Sequence, residues 1–365
     1  MKKSLMSISL VLVSVALASC ARPGTSTSNA IAVPTLTKPA ATAVPVAAPA
    51  TDTTLKVVAA ADAFLATLDA TQKKAVLFDY NDSAQRLLWS NLPGPMVQRK
   101  GIKLGDMSEA QKAAVMAVLS TTLSAKGYEI VMDTVNGDEV LKGQGGGGGN
   151  LQFGGDLYYF SILGQPSATT AWMWQFGGHH LAINATIVGA DITLAPSLTG
   201  GQPVDYTLNG KTVRQLGSEE DKAYALVSLL DAAQQKQAVL GTKYIDMVLG
   251  PGQDGKTIQP EGIKVSALNA AQQTALLELI GERVNMLNDE DAAQKMAEIK
   301  AGLADSYFAW YGPITAGSES YWRVQGPTLF MEYSPQSLGG DAGTEHTHAM
   351  FRDPTNDYGV AWTNK

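Results

Sequence analysis

Cysteine is almost missing: the 365-residue sequence has one, Cys20. A single thiol excludes a disulfide framework and a thiolate-built metal centre, so any ion site must use nitrogen and oxygen ligands. Histidine is nearly as scarce, with four in the whole chain. Charged residues make up 17% and the net charge is −7, with no basic cluster, which argues against nucleic acid as a partner. Beyond the first residues there is no long apolar run. Nucleophile-elbow, dinucleotide and EF-hand motifs are absent, and the glycine run 145–149 lacks the Lys-Ser/Thr of a phosphate loop.

What is present begins with MKKSLMSISLVLVSVALASC. Lys2 and Lys3 precede an apolar stretch from Leu5 to Leu17, too short to span a bilayer comfortably, so residues 1–19 read as an export signal. Leu17-Ala18-Ser19-Cys20 resembles the lipobox of bacterial lipoproteins, which implies cleavage before Cys20 and a lipid anchor on it. Losing Lys2 and Lys3 takes the net charge to −9. Residues 20–52, rich in Ala, Pro and Thr, cannot bury enough apolar surface to fold and read as a tether at roughly 3 Å per residue. The expectation is an extracytoplasmic protein held to the cell membrane or an outer membrane.

The remainder repeats itself. GIKLGDMSEAQKAAV from Gly101 aligns with GIKVSALNAAQQTAL from Gly262, and LDATQKKAVL from Leu68 with LDAAQQKQAVL from Leu230. Two pseudo-symmetric halves are expected, 53–210 and 211–365. Asp69/Gln72, Ser108/Gln111, Asp231/Gln234 and Asn269/Gln272 each have the form of a helix-starting capping box. Apolar positions behind Ser108 and Asn269 recur at helical spacing, and further helices are expected near 55–68 and 219–230. Strands are expected at Ile130–Val135, Leu157–Leu163, Ala171–Phe176 and His180–Val188, then at Ser306–Trp310, Tyr321–Gln325, Thr328–Tyr333 and Thr347–Arg352. Helices followed by strands in each half predict an α+β fold with antiparallel sheet.

The four histidines fall in two short stretches, FGGHHLAIN and EHTHAMFRDP. Side chains alternate along a strand, so His346, His348, Met350 and Arg352 share a face opposite Thr347, Ala349 and Phe351. Two imidazoles pointing the same way about 6–7 Å apart can hold one ion. In a strand, His179 and His180 would point to opposite faces, which favours His180 as the ligand with His179 supporting it. Aligned halves place Asn184 opposite Glu332 and His180 opposite Thr328, as if each half gave different groups to one site. Taken singly, a histidine is more often a hydrogen-bonded core or surface residue than a ligand. Glu345 and Asp353 also suit turns, and Trp172, Trp174 and Phe176 read as core.

The sequence resembles the DUF3500 family, a domain of unknown function. The likeness runs through RLLWSNLPG, RKGIKLGDMSEAQ, YYFSILGQPSATTAWMWQFGGHHLAIN, LAPSLTGGQP, YFAWYG and HTHAMFRDPTNDYG. The family's GHHL corresponds to Gly178, His179, His180 and Leu181. Its H-x-H, RD and DYG correspond to His346, His348, Arg352, Asp353, Asp357, Tyr358 and Gly359. The resemblance implies an exported protein and names no activity. A histidine that many members carry soon after DYG has no match in VAWTNK; if it is a ligand in those members, the site here is one ligand short or completed differently.

Two functions compete. The first is a metal site of His180, His346 and His348, with His179 and Glu332 next. It suits Zn or Cu, and Fe or Mn if a carboxylate joins. Such an ion serves either binding and delivery or hydrolysis with Glu332 or Glu345 as base. The second is a metal-free binding module, with His179, His180, Arg86, Arg352 and Asp353 set around an anionic small molecule or cell-wall fragment. A structural envelope protein with satisfied core histidines is the plainest alternative.

Overall fold

The structure is a computed structural model and describes residues 48–145, 151–336 and 345–363. The export signal, Cys20, most of the tether and the glycine run from 146 lie outside the described residues.

The four capping boxes start four helices: α1 being Asp52–Ala66, they open α2 (Ala70–Val76), α3 (Glu109–Thr122), α6 (Ala232–Ala238) and α7 (Ala270–Val284). Between them in chain order come α4 (Ala125–Gly143) and α5 (Gly217–Leu229), and α8 (Asp289–Ala301) follows. Each capping glutamine also meets the glutamine of a second box. Gln111 Nε2 donates to Gln72 Oε1 at 2.9 Å, and Gln272 Nε2 to Gln234 Oε1 at 2.6 Å. One amide therefore both starts a helix and ties it to its neighbour.

The expected strand Ile130–Val135 is instead the middle of α4. Ser124 caps that helix, and its buried positions Val131, Thr134, Val135, Asp138 and Leu141 follow helical spacing. Gly127, which looks like a turn residue, sits in the first helical turn. A Cβ there would stand 2.0 Å from the Met286 carbonyl oxygen, so only glycine lets the helix approach.

One mixed sheet runs through the molecule. Its main strands are β1 (Leu77–Phe78), β2 (Tyr159–Leu163), β3 (Trp172–Gly178), β4 (Leu181–Val188), β5 (Ser197–Gly201), β6 (Val239–Gly241), β7 (Tyr307–Tyr311), β8 (Tyr321–Gly326), β9 (Leu329–Pro335) and β10 (Thr347–Arg352). The spatial order is β1-β2-β3-β4-β5-β10-β9-β8-β7-β6. Neighbours are antiparallel except at the two ends, where β1 with β2 and β6 with β7 are parallel. The purely antiparallel expectation fails there because β1 and β6 each follow directly from a short helix, α2 or α6, and join as edge strands. The α+β class holds.

The strands alternate between two apolar layers. Trp172, Trp174, Phe176, Phe308, Trp310, Trp322, Ala349 and Phe351 pack with the helices in one core. Leu163, Met173, Ala182, Leu198, Phe330 and Met350 face the other way, under Trp89, Leu249 and Tyr358 from loops and turns. Helices thus cover one face, and irregular chain covers the other. β10, late in the chain, lies at the sheet's centre between β5 and β9, so it carries His348 alongside β5, whose other neighbour is β4.

Candidate metal centre

His348 enters the site from β10. It stands opposite Ser334 of β9 and Gly200 of β5, and it points to the loop-covered face with Met350 and Arg352. His346 lies just before the strand, where its carbonyl accepts the Gln336 N–H at 2.7 Å and extends the pairing with β9.

His179 and His180 are not strand residues. Gly178 pairs with Leu181, so the two histidines form the two-residue loop of the β3–β4 hairpin. Strand alternation therefore does not apply to them, and the rings do not point to opposite faces. They stack, with centroids 3.7 Å apart and planes 32° from parallel. His180 has φ of 59°, the left-handed region, a conformation that costs an ordinary residue roughly 1–2 kcal/mol. Its surroundings hold it there. The His180 N–H donates to the Asn91 carbonyl at 2.9 Å, and the Tyr158 hydroxyl donates to the His179 carbonyl at 2.6 Å. Arg99 Nη2 donates to the Gly178 carbonyl at 2.7 Å.

His179 is anchored separately. Its Nδ1 lies 2.7 Å from Asp138 Oδ1 on α4, and Asp138 Oδ2 accepts the Gly154 N–H at 2.8 Å. Phe153 packs on its ring at 4.8 Å. The result is a chain of contacts, Asp138 to His179 to His180, that fixes the orientation of the last ring.

Three imidazoles converge. His180 Nε2 and His346 Nε2 are 2.8 Å apart, and one ring nitrogen from each of His180, His346 and His348 lies within 4.8 Å of the others. All three side chains are buried. Gly200 makes the room: a Cβ there would lie 2.7 Å from His348 Cδ2 and 3.1 Å from His180 Cδ2. Burial first, then the neighbouring His179, His348 and His346, holds His180 well below its usual pKa. Burial, then His346 and His179, does the same to His348. Neutral rings keep the lone pairs that an ion needs, and water is excluded from competing. Two nitrogens bound to one tetrahedral ion at ordinary bond lengths stand about 3.3 Å apart. To accept one, His180 and His346 would part by a few tenths of an ångström and the widest pair, at up to 4.8 Å, would close by up to about 1.5 Å, so the three nitrogens could hold an ion after side-chain adjustment.

The other sequence candidates lie elsewhere. Glu332 is buried on β9 with both oxygens used: Oε1 accepts from Leu249 N at 2.9 Å, and Oε2 from Val248 N and the Tyr321 hydroxyl at 2.8 Å. It pins the 242–262 loop to the sheet, and burial raises its carboxyl above the usual range. Glu345 is exposed. Arg352 donates to the Leu249 and Gly250 carbonyls and to Asp254 and Asp357, and its guanidinium lies 5.2 Å from the Trp89 ring. Asp353 caps the following turn through Thr355 and Asn356 and pairs with Lys295. Arg86 donates to the Tyr80 carbonyl and stacks on that ring at 4.5 Å. Among the described residues, Glu332, Arg352, Asp353 and Arg86 spend their hydrogen bonds on loops and turns.

Asn91, Arg99, Asp138, Tyr158 and Gly200 form the surroundings of the site and had no chemical signature in the sequence. SNLPG and LTGGQP stand out as motifs, but nothing in either string says that it meets a histidine.

A model of a family described as protein of unknown function (DUF3500) matches residues 50–360. No curated protein and no solved structure matches the chain.

Proposed function

Because the chain belongs to the DUF3500 family, whose description names no activity, we propose its function from the site alone: an exported, lipid-anchored protein that binds a divalent transition metal through His180, His346 and His348. One observation carries this reading. Histidine is scarce, yet three of the four, from two distant segments, place ring nitrogens within 4.8 Å of one another in a buried setting. Burying several imidazoles together without a shared ligand gives no stability that apolar side chains would not give better. An all-imidazole set favours Zn or Cu over Mg or Ca, with Fe as the next choice.

Binding and delivery is supported better than hydrolysis. Of the two carboxylates considered as base, Glu332 is spent on holding a loop, and Glu345 is exposed to solvent. Export and lipid attachment at Cys20 rest on the residues of the N-terminal segment. They give the protein a membrane as its partner and a place where metal is captured outside the cytoplasm.

Elemental analysis of untagged protein tests the reading. Close to one equivalent of Zn, Cu or Fe is expected in the unaltered chain, and a loss of it in His346→Ala and His348→Ala. Metal-free protein that also binds no added Zn(II) or Cu(II) would sink the proposal.

A further inference from the structure

We propose, on the basis of the tri-histidine reading, that Asn91 supplies a fourth ligand, the side-chain oxygen that completes the metal site. Asn91 Nδ2 lies 3.0 Å from His348 Nε2. In that contact the amide donates to the Nε2 lone pair, on one of the two ring nitrogens that His348 can offer an ion. A carboxamide rotated by half a turn presents Oδ1 at that position, and the two atoms are assigned by their surroundings. An oxygen about 3 Å from Nε2 is close to the spacing of about 3.3 Å between two donors on one tetrahedral ion.

The backbone of Asn91 is built for a fixed position. Its carbonyl accepts the His180 N–H at 2.9 Å, so the residue touches two of the three ligands. On either side, the Ser90 and Leu92 carbonyls accept from Arg99 Nη2 at 2.7 Å each. The same nitrogen holds the Gly178 carbonyl at 2.7 Å, directly before the histidine hairpin loop. One guanidinium thus clamps the Asn91 loop to that hairpin. Trp89, two residues earlier, donates to the Tyr358 hydroxyl at 2.7 Å and secures the loop to the chain after β10.

The set becomes three nitrogens and one amide oxygen. An amide oxygen is a weak, neutral ligand compared with imidazole or carboxylate. The resting ion has its fourth position filled by protein, and an incoming donor can displace that group. This is the chemistry of exchangeable metal holding.

The test uses full-length mature protein freed of metal by chelation and reloaded with Co(II) or Zn(II). In the unaltered chain, Co(II) is expected to give a tetrahedral visible spectrum that responds to azide only at high concentration, because azide must first displace the amide oxygen. Asn91→Ala is expected to bind Zn(II) about 10- to 100-fold more weakly, the usual scale for losing a partner of a metal site. Its Co(II) spectrum should respond strongly to azide, which enters the opened position. Asn91→Asp, nearly identical in shape, should bind Zn(II) more tightly than the unaltered chain. If the metal binds and both variants match the unaltered chain in affinity, spectrum and azide response, the Asn91 assignment is overturned while the tri-histidine site stands. If the unaltered chain binds neither ion, the tri-histidine reading itself fails, and this assignment with it.

Discussion

The Nε2 atoms of His180 and His346 lie 2.8 Å apart although 166 residues separate them in the chain. At that distance one must donate and the other accept, so without metal one of the two rings carries a proton on Nε2. A metal bound at both Nε2 atoms requires the same tautomer, with the proton on Nδ1. Loading Zn(II) is therefore expected to convert one ring from the Nε2–H to the Nδ1–H form. Imidazole nitrogen NMR shifts of labelled protein check this, and an unchanged pair of tautomers after stoichiometric Zn(II) would count against shared ligation.

Gly200→Ala tests whether the convergence depends on an absent side chain. The added Cβ meets His348 Cδ2 and the Thr347 carbonyl oxygen at 2.7 Å each, and the carbonyl cannot swing away without moving β10. Destabilisation of about 1–3 kcal/mol is expected from such overpacking, together with weaker Zn(II) binding. Gly143→Ala, where nothing lies within 4 Å, should leave both quantities nearly unchanged. Urea unfolding and a chelator competition read the two effects; a tight-binding, fully stable Gly200→Ala protein would mean that the rings do not need this gap.

Asp291 gives a pH dependence remote from the histidines. Burial pushes its carboxyl up from 3.8 to about 6, opposed by the Asn288 side chain and the Ile192 N–H. A raised folded-state pKa means that the native protein binds the proton more tightly than the unfolded chain does. The resulting stability is fully present below pH 3.8 and is lost as pH rises through about 6. At neutral pH the charged form costs on the order of 3 kcal/mol. Asp291→Asn removes the titration, so its stability relative to the unaltered protein should climb between pH 4 and 7. Parallel stability curves over that range would refute the assignment.

The proposed lipid anchor is tested at Cys20. Expressed with its leader in a lipoprotein-processing bacterium, the protein should take up labelled palmitate and sediment with membranes. Cys20→Ala should lose the label and leave the membrane fraction, while metal content stays the same. Label retained in the variant would refute attachment at this residue.

Much of the helical framework was legible because capping is local: a side chain three residues from its partner needs no tertiary knowledge. Alternation likewise sorted Thr347, Ala349 and Phe351 from His348, Met350 and Arg352, since a paired strand has only two faces. Failures came where tertiary packing decides. Ile130–Val135 has β-branched, strand-like composition, but Ser124 starts a helix through it and Gly127 fits beneath Met286. His179 and His180 followed alternation on paper, yet the two glycines before them end a strand and make the pair a hairpin loop. Charged candidates misled for another reason. Arg352 and Glu332 look reactive in one dimension, while in space they are the screws that fasten loops to the sheet. Asn91 was invisible because an asparagine in SNLPG reads as turn chemistry until its neighbour His348, 257 positions later, is placed.

The position of β10 has a consequence for assembly. The strand encoded last among those of the sheet fills its middle, so the two flanks of β-structure remain unjoined until it docks. A polypeptide emerging amino end first has nowhere to keep an ion before then. On the proposed metal reading, capture of the ion becomes a closing event, a mark that the whole architecture has been completed.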